Sequence, residues 1–270
     1  MKHLHQLLLV FFTFSFVVLS GQTDRHREET MKLLEKGEVA AAKEKMDEAL
    51  KVAPEVAENH YVMGRVLMMM RNSFDAVVEF EKAESLKLET AELYLYKGIA
   101  CYLTGKTEMA LACYEKSQKL NDRDYKLYYN RAQLYTDLGE LDDAMTDLNA
   151  AIDLKPDYAE AYLQRAIVSF EDEKFKNAIR DCDKVIELKP TLADAYYYRA
   201  MSKGSDGNDK SAIDDFSAAI DINPNHDNAL SHRGSAKYLS GNLKGACMDW
   251  DKAMQLGNDD AEMNYLNYCQ

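Results

Sequence analysis

Apolar side chains recur along this chain at spacings of three and four, in short blocks that come in pairs. Within residues 159–192 they run through Tyr162, Ala166 and Phe170, and then through Phe175, Ala178, Ile179, Cys182 and Ile186. That spacing lines one face of an α-helix, so the block predicts two amphipathic helices with a break near Glu171 to Lys174. Sister blocks carry glycine at the break, at Gly37, Gly105, Gly139, Gly207 and Gly241, where a helix C-terminus favours a residue free to turn left-handed. Pro156, Pro190 and Pro224 end the second helix of their blocks by pushing the preceding residue out of helical geometry.

The blocks repeat. Ala42, Ala76, Ala110, Ala144, Ala178, Ala212 and Ala246 return every 34 residues. With alanine at roughly one residue in ten, seven such hits arise by chance with a probability on the order of 10⁻⁷ per register. A residue twelve positions earlier is small in all but one case, at Gly64, Gly98, Ala132, Ala166, Ala200 and Gly234, with Thr30 the exception. A larger residue follows four positions later, at Met46, Phe80, Tyr114, Leu148, Cys182, Phe216 and Trp250. Small residues at the crossing points let two helices approach closely, and the larger ones fill the space beside them. One pair cannot bury its own apolar face, so pairs must stack into an array.

The run Tyr128, Arg131, Ala132, Tyr135, Gly139, Leu141, Ala144, Leu148, Ala151 and Pro156 resembles the tetratricopeptide repeat, and it recurs with variation from Thr23 to Asp260. The expected organisation is a leader at 1–21, then an array over 22–260 in units 23–56, 57–90, 91–124, 125–158, 159–192, 193–226 and 227–260. A capping helix is expected at 261–270. The resemblance implies an all-α fold, a right-handed α-solenoid of about seven helix-turn-helix repeats whose concave face, lined by first helices, binds peptide segments of other proteins. Glu29, Thr30, Leu88 and Asp122 depart from the family pattern.

Composition adds a compartment and removes some partners. The apolar run Leu7 to Leu19 is shorter than the roughly 20 residues of a membrane span. It follows Lys2 and ends in Ser20-Gly21, which reads as a cleaved signal peptide rather than an uncleaved anchor. An exported protein of the bacterial periplasm or cell envelope, or a secreted one, is expected. The net charge of −13 lacks the basic patches that nucleic acid or an anionic membrane surface requires. No membrane insertion is expected once the leader is removed.

Five cysteines in an exported chain raise the expectation of disulfides. Cys247 and Cys269 lie equally far from the turn Gly257-Asn258-Asp259-Asp260, so a helical hairpin can bring them side by side; the alternative is two half-buried thiols. Cys101 and Cys113 also flank a turn, with helical phases that match less well. Cys182 falls at a core position.

Arg131, Arg165, Arg199 and Arg233 recur on first helices, and Asp147, Asp181, Asp215 and Asp249 on second helices. Their joint appearance predicts a structural ladder, within a unit or between neighbours, in preference to a charged ligand stripe. At the same positions the earlier units hold Lys97 with Cys113 and Met63 with Glu79. Histidines and cysteines show no metal-ligand spacing, and neither a metal, a cofactor nor a catalytic group is expected. Ser205 to Asp209 resembles part of a calcium loop without its closing glutamate and reads as a turn.

By the resemblance, the ligand-facing positions of the first helices are Tyr61, Met68, Leu95, Ile99, Tyr102, Tyr129, Leu163, Ile167, Phe170, Tyr197 and Met201, with Glu58, Glu92, Glu160 and Asp194 near one edge. An aromatic and aliphatic surface with an acidic rim suits protein or peptide segments bearing apolar anchors. The expected function is a non-catalytic protein-binding scaffold. The alternative is a soft-metal or small-ligand binder of the cell envelope, using Met63 and Met68 to Met70.

Overall fold

The computed structural model describes residues 23–269. The leader at 1–21 lies outside the described residues. Fifteen helices follow one another among those described, and no strand occurs among them. They are α1 (residues 23–35), α2 (Val39–Val52), α3 (Ala57–Met69), α4 (Ser73–Ser85), α5 (Ala91–Leu103), α6 (Thr107–Leu120), α7 (Tyr125–Asp137) and α8 (Leu141–Leu154). The chain continues with α9 (Ala159–Glu171), α10 (Phe175–Leu188), α11 (Ala193–Ser205), α12 (Asp209–Ile222), α13 (Asp227–Leu239), α14 (Leu243–Gln255) and α15 (Asp259–Tyr268). The fold is all-α, built of helix-turn-helix repeats. It divides into two compact units, one up to Leu127 and one from Tyr128, and within each unit every hairpin packs on the next.

The 34-residue period is a packing rule. Its seven alanines are no more than 1% exposed, and the seven larger residues four positions on no more than 3%. At Gly64, Gly98 and Gly234 the larger side chain lies directly over the small residue of the first helix. A methyl built on Gly64 would come within 2.5 Å of the Phe80 ring, and one on Gly98 within 2.7 Å of Tyr114. Where the filler is an indole, at Trp250, a methyl on Gly234 would meet Nε1 at 2.6 Å, the atom that donates to the Ser231 carbonyl at 3.1 Å. Glycine stands opposite the rings of Phe80, Tyr114 and Trp250, while alanine stands opposite Leu148 and Cys182 and, at Ala200, opposite the Phe216 ring.

The turns explain where the elements stop. Gly139 takes φ +75°, and the next amide, of Glu140, reaches back to the Tyr135 carbonyl at 2.9 Å, closing the first helix in a Schellman motif. Arg71 and Glu173 occupy the same slot in their units with φ of 59° and 55°, so the left-handed turn survives without glycine. Second helices that precede a proline leave through extended residues, Lys155 at φ −141° and Lys189 at −139°, as the following ring requires. At the corresponding site α4, α6 and α14 have no proline; α6 still leaves through extended Asn121 at φ −153°, but the other two do not. They leave instead through left-handed Lys87 and Gly257, and each is one residue shorter than α8.

α15 begins at Asp259, two residues before the expected start of the cap. Asn258 sets it in place: the side chain accepts from the Ala261 amide at 2.9 Å and donates to Asp227 and Asn228 at 3.1 and 3.0 Å. Cys247 and Cys269 are joined by a disulfide with Cα atoms 5.6 Å apart, tying α15 to α14. Cys101, Cys113 and Cys182 are free and buried. Burial pushes the Cys182 thiol up to about 12.

Candidate functional site

First helices present two kinds of side chain, one locked into the packing and one left partly open. In the unit up to Leu127, Tyr61 is half-buried with its ring centroid 6.2 Å from Phe80 and 6.4 Å from Tyr96. Its hydroxyl donates to Glu92 at 3.2 Å. The Arg65 guanidinium covers the Tyr96 ring at 4.4 Å. Burial drives the Tyr61 phenol well above its ordinary range, against the nearby Arg65 charge. Beside Tyr61, α1 and α3 enclose a hollow of about 670 Å³ with Met31, Val62 and Tyr61 among its lining residues and Asp24, Glu28, Glu35 and Glu58 on its walls.

Met68, Ile99 and Tyr102 are half-buried. Leu95 is not available to a ligand: it is 2% exposed. α5 is apolar on nearly every side, burying Leu93, Tyr94, Gly98, Ala100 and Cys101 as well, so Leu95 belongs to the interior rather than to an open face. The methionines differ in exposure. Met63 is 4% exposed, whereas Met69 and Met70 are 48% and 45% exposed.

In the unit from Tyr128, Tyr129 stands edge-on to Tyr158 with centroids 5.1 Å apart, and its hydroxyl accepts from Gln133 at 3.2 Å. Leu163 packs against the core of Ala159, Val185 and Ala195. Phe170 packs against Ala166, Ala178 and Cys182, and Ile167 is half-buried. Tyr197 lies among four rings, those of Tyr198, Phe216, His226 and His232, at 4.9 to 6.0 Å. Burial, helped by neighbouring Tyr198, pushes its phenol up to about 12. Met201 lines a second hollow, about 240 Å³, with Gly204, Phe216, His232 and the exposed Leu239.

The arginine and aspartate series pair within their units. Nε and Nη2 of each arginine donate to the two oxygens of the aspartate sixteen residues on: Arg131 to Asp147, Arg165 to Asp181, Arg199 to Asp215 and Arg233 to Asp249, at 2.6 to 2.8 Å. Nη1 then reaches across to the second helix of the preceding repeat, from Arg165 to Asn149 and from Arg199 to Asp183, both at 2.6 Å, and from Arg233 to Ser217 at 3.0 Å. Each of these three guanidinium groups thus holds two successive second helices. Hydrogen bonding to Asp147 and Asp181 outweighs burial and keeps Arg131 and Arg165 still more firmly protonated than usual. Two aspartates take a second cation: Lys203 Nζ lies 2.8 Å from Asp215, and Lys237 Nζ lies 2.7 Å from Asp249.

Other buried polar groups were not legible as a set. Lys97, in the slot that arginine takes later, is 6% exposed and turns to Glu84 at 2.6 Å rather than to Cys113. Glu84 also accepts from Lys116 at 2.9 Å and Tyr94 at 3.2 Å. Burial alone would raise its carboxyl, but the bonds from Lys97 and Lys116 hold it at about 2. Glu79 is taken by His60 Nδ1 at 2.6 Å, whose Nε2 meets the Pro54 carbonyl at 2.7 Å. The signal for both lay in a lysine and a histidine at core-facing positions, each of which needs an anion or a carbonyl. Among the described residues, no group of three or more His, Cys, Asp or Glu is placed to hold a metal ion, and no helix is long and apolar enough to cross a membrane. Asn208, within the calcium-loop-like stretch, caps α12 by accepting from the Ser211 amide.

The TPR repeat model matches residues 132–172. A tetratricopeptide repeat protein from Parabacteroides merdae is similar at 20% identity over 92% of this chain and 98% of that one, with a TM-score of 0.66. YrrB, described as a TPR protein with an unusual peptide-binding site, is 23% identical over 68% of this chain and 95% of its own, with a TM-score of 0.57. MamA from Desulfovibrio magneticus, residue 41 to its end, is 23% identical over 62% and 94%, with a TM-score of 0.58. At these identities the likeness is one of fold.

Proposed function

We propose that this chain is a non-catalytic scaffold that holds segments of partner proteins against its first helices, and that it works outside the cytoplasm. The observation that carries the reading is the hollow between α1 and α3. It is lined by Met31, Val62 and Tyr61 together with four carboxylates, Arg27 and Lys32. Partly open aromatic and thioether groups inside an acidic rim suit a segment with one or two apolar anchors flanked by lysine or arginine. That YrrB is described as having a peptide-binding site supports the same use of the fold. Export is supported by the apolar run Leu7 to Leu19 and by the Cys247–Cys269 bond, which persists in oxidising compartments. A bacterial envelope or secreted location follows from that reading.

The test is selection of peptides from a displayed library by the full mature chain. Selected sequences should combine a large apolar residue with basic neighbours. Met31→Ala with Glu28→Gln should weaken them at least tenfold, while Phe74→Ala on the second-helix surface should not. Enrichment of acidic peptides, or equal binding by both variants, would refute the assignment. N-terminal sequencing of the native protein should begin near Gly21 or Gln22; recovery of Met1 would refute export with cleavage.

A further inference from the structure

The second-helix side of the unit from Tyr128 carries a polar hollow of about 510 Å³ between α8, α9 and α10. It exists because one repeat departs from its sisters. Where Lys203 and Lys237 fill the space beside Asp215 and Asp249, the repeat at 159–192 has Ser169, too short to reach. Ser169 is 1% exposed and lines the hollow.

Around that gap the charge reverses. Lys174 and Arg180 stand on its walls, whereas the same slots in the sister repeats hold Glu140, Asn208 and Asn242, and Thr146, Asp214 and Met248. In a chain of net charge −13, this is a local cationic site on an acidic background. Asp181, the carboxylate of the hollow, has both oxygens occupied by Arg165 at 2.7 and 2.8 Å. Asn149 and Asn177 also line it, and each gives its amide oxygen to an arginine, Arg165 and Arg180 respectively. Their amide nitrogens remain as donors. Lys174 touches Asp172 and keeps two of its three hydrogens. Ser169 adds a hydroxyl, so the lining is rich in donors while its acceptors are spent.

We propose that this hollow binds a phosphoryl group, free or carried on a small organic molecule. A dianion with three or more acceptor oxygens matches the unpaired charge of Arg180, the remaining hydrogens of Lys174 and the amide and hydroxyl donors of the lining better than a single carboxylate does. The hollow is larger than one such ion, and Met145 on its wall offers an apolar surface to whatever carries it. This site shares no residue with the first-helix hollows, so its failure leaves the scaffold reading untouched.

Titration calorimetry on the mature, oxidised chain should detect binding of inorganic phosphate or glycerol 3-phosphate, and succinate should bind at least tenfold more weakly. Lys174→Ala with Arg180→Ala should weaken the phosphate probe at least tenfold. Ser169→Lys is the decisive variant. It adds positive charge, yet it should abolish binding by filling the gap as Lys203 does, with helicity retained by circular dichroism. Tighter binding by inorganic phosphate than by the ester would make the free ion the ligand; the reverse would assign the organic part to the Met145 wall. No binding of either probe at millimolar concentration, equal binding of succinate, or stronger phosphate binding by Ser169→Lys would overturn the proposal.

Discussion

Arg165 and Arg233 make the same bonds to different extents of support, and that contrast yields a quantitative expectation. Each donates twice to its aspartate, and each sends Nη1 to a neutral oxygen on the preceding repeat, Asn149 or Ser217. Replacing either by methionine keeps most of the packing volume and leaves a carboxylate that is 8% or 5% exposed. Breaking a buried pair from one side costs about 3 to 5 kcal/mol. Asp249, however, retains Lys237 at 2.7 Å, a charge-assisted bond worth about 1.5 to 3 kcal/mol, whereas Asp181 has Ser169 in that slot. The lateral bonds are alike and cancel. Arg165→Met should therefore cost about 2 kcal/mol more than Arg233→Met, a difference of about 4 to 8 °C in melting temperature for a chain of this size. Adding Lys237→Met to Arg233→Met should bring that variant down to the level of Arg165→Met, and Asp181→Leu added to Arg165→Met should restore much of the loss. Urea unfolding followed by circular dichroism, with calorimetric melting, reads all four. Equal losses for the two single variants would refute the reasoning, because Lys237 would then be shown to carry no share of Asp249.

Three further expectations follow from geometry already described. Gly234→Ala drives a methyl to 2.6 Å from the Trp250 indole and should cost about 1 to 3 kcal/mol, with a shift in tryptophan emission; an unchanged melting curve would place the indole elsewhere. Oxidised chain should show three alkylatable thiols after unfolding, and Cys247→Ser should lower stability by about 3 kcal/mol for a separation of 22 residues. Glu84 is held at about 2 when folded against about 4.3 unfolded, so its contribution is complete above about pH 5 and lost as pH falls through 2. Stability of Glu84→Gln should accordingly fall less steeply than wild type across that window, and parallel acid titrations would contradict the Lys97–Glu84–Lys116 arrangement.

The repeat was legible because its rule is local and restated: an alanine, a small partner twelve residues before it and a filler four after it. The arginine and aspartate series were equally visible, since both carry the period. Their division of labour was not, because whether a guanidinium turns to its own hairpin or the preceding one depends on three-dimensional reach, and the answer is both. Leu95 shows the opposite failure. A position defined by repeat phase is groove-facing only where its helix has a polar side to turn outward, and α5 scarcely has one. The hollow at Ser169 was hidden for a different reason, since it arises from how one repeat differs from the others at Ser169, Lys174 and Arg180, while periodicity reports only what they share.

A stack made by repeating one layer resembles a crystal growing along a line: every layer offers the next the same surface that received it, and nothing inside the rule says when to stop. In the unit from Tyr128, α15 covers the surface that α14 would otherwise offer. Ala261 falls in phase with Ala193 and Ala159, so α15 repeats the packing of a first helix. It seals Trp250 and Ala253, and a second copy could reach that surface only by prising α15 away. The Cys247–Cys269 bond opposes that movement as long as it stays oxidised, which makes the covering of that surface a property of the surroundings as well as of the sequence. Reduction would free α15 to leave Trp250 and Ala253, exposing an apolar face that other chains could meet.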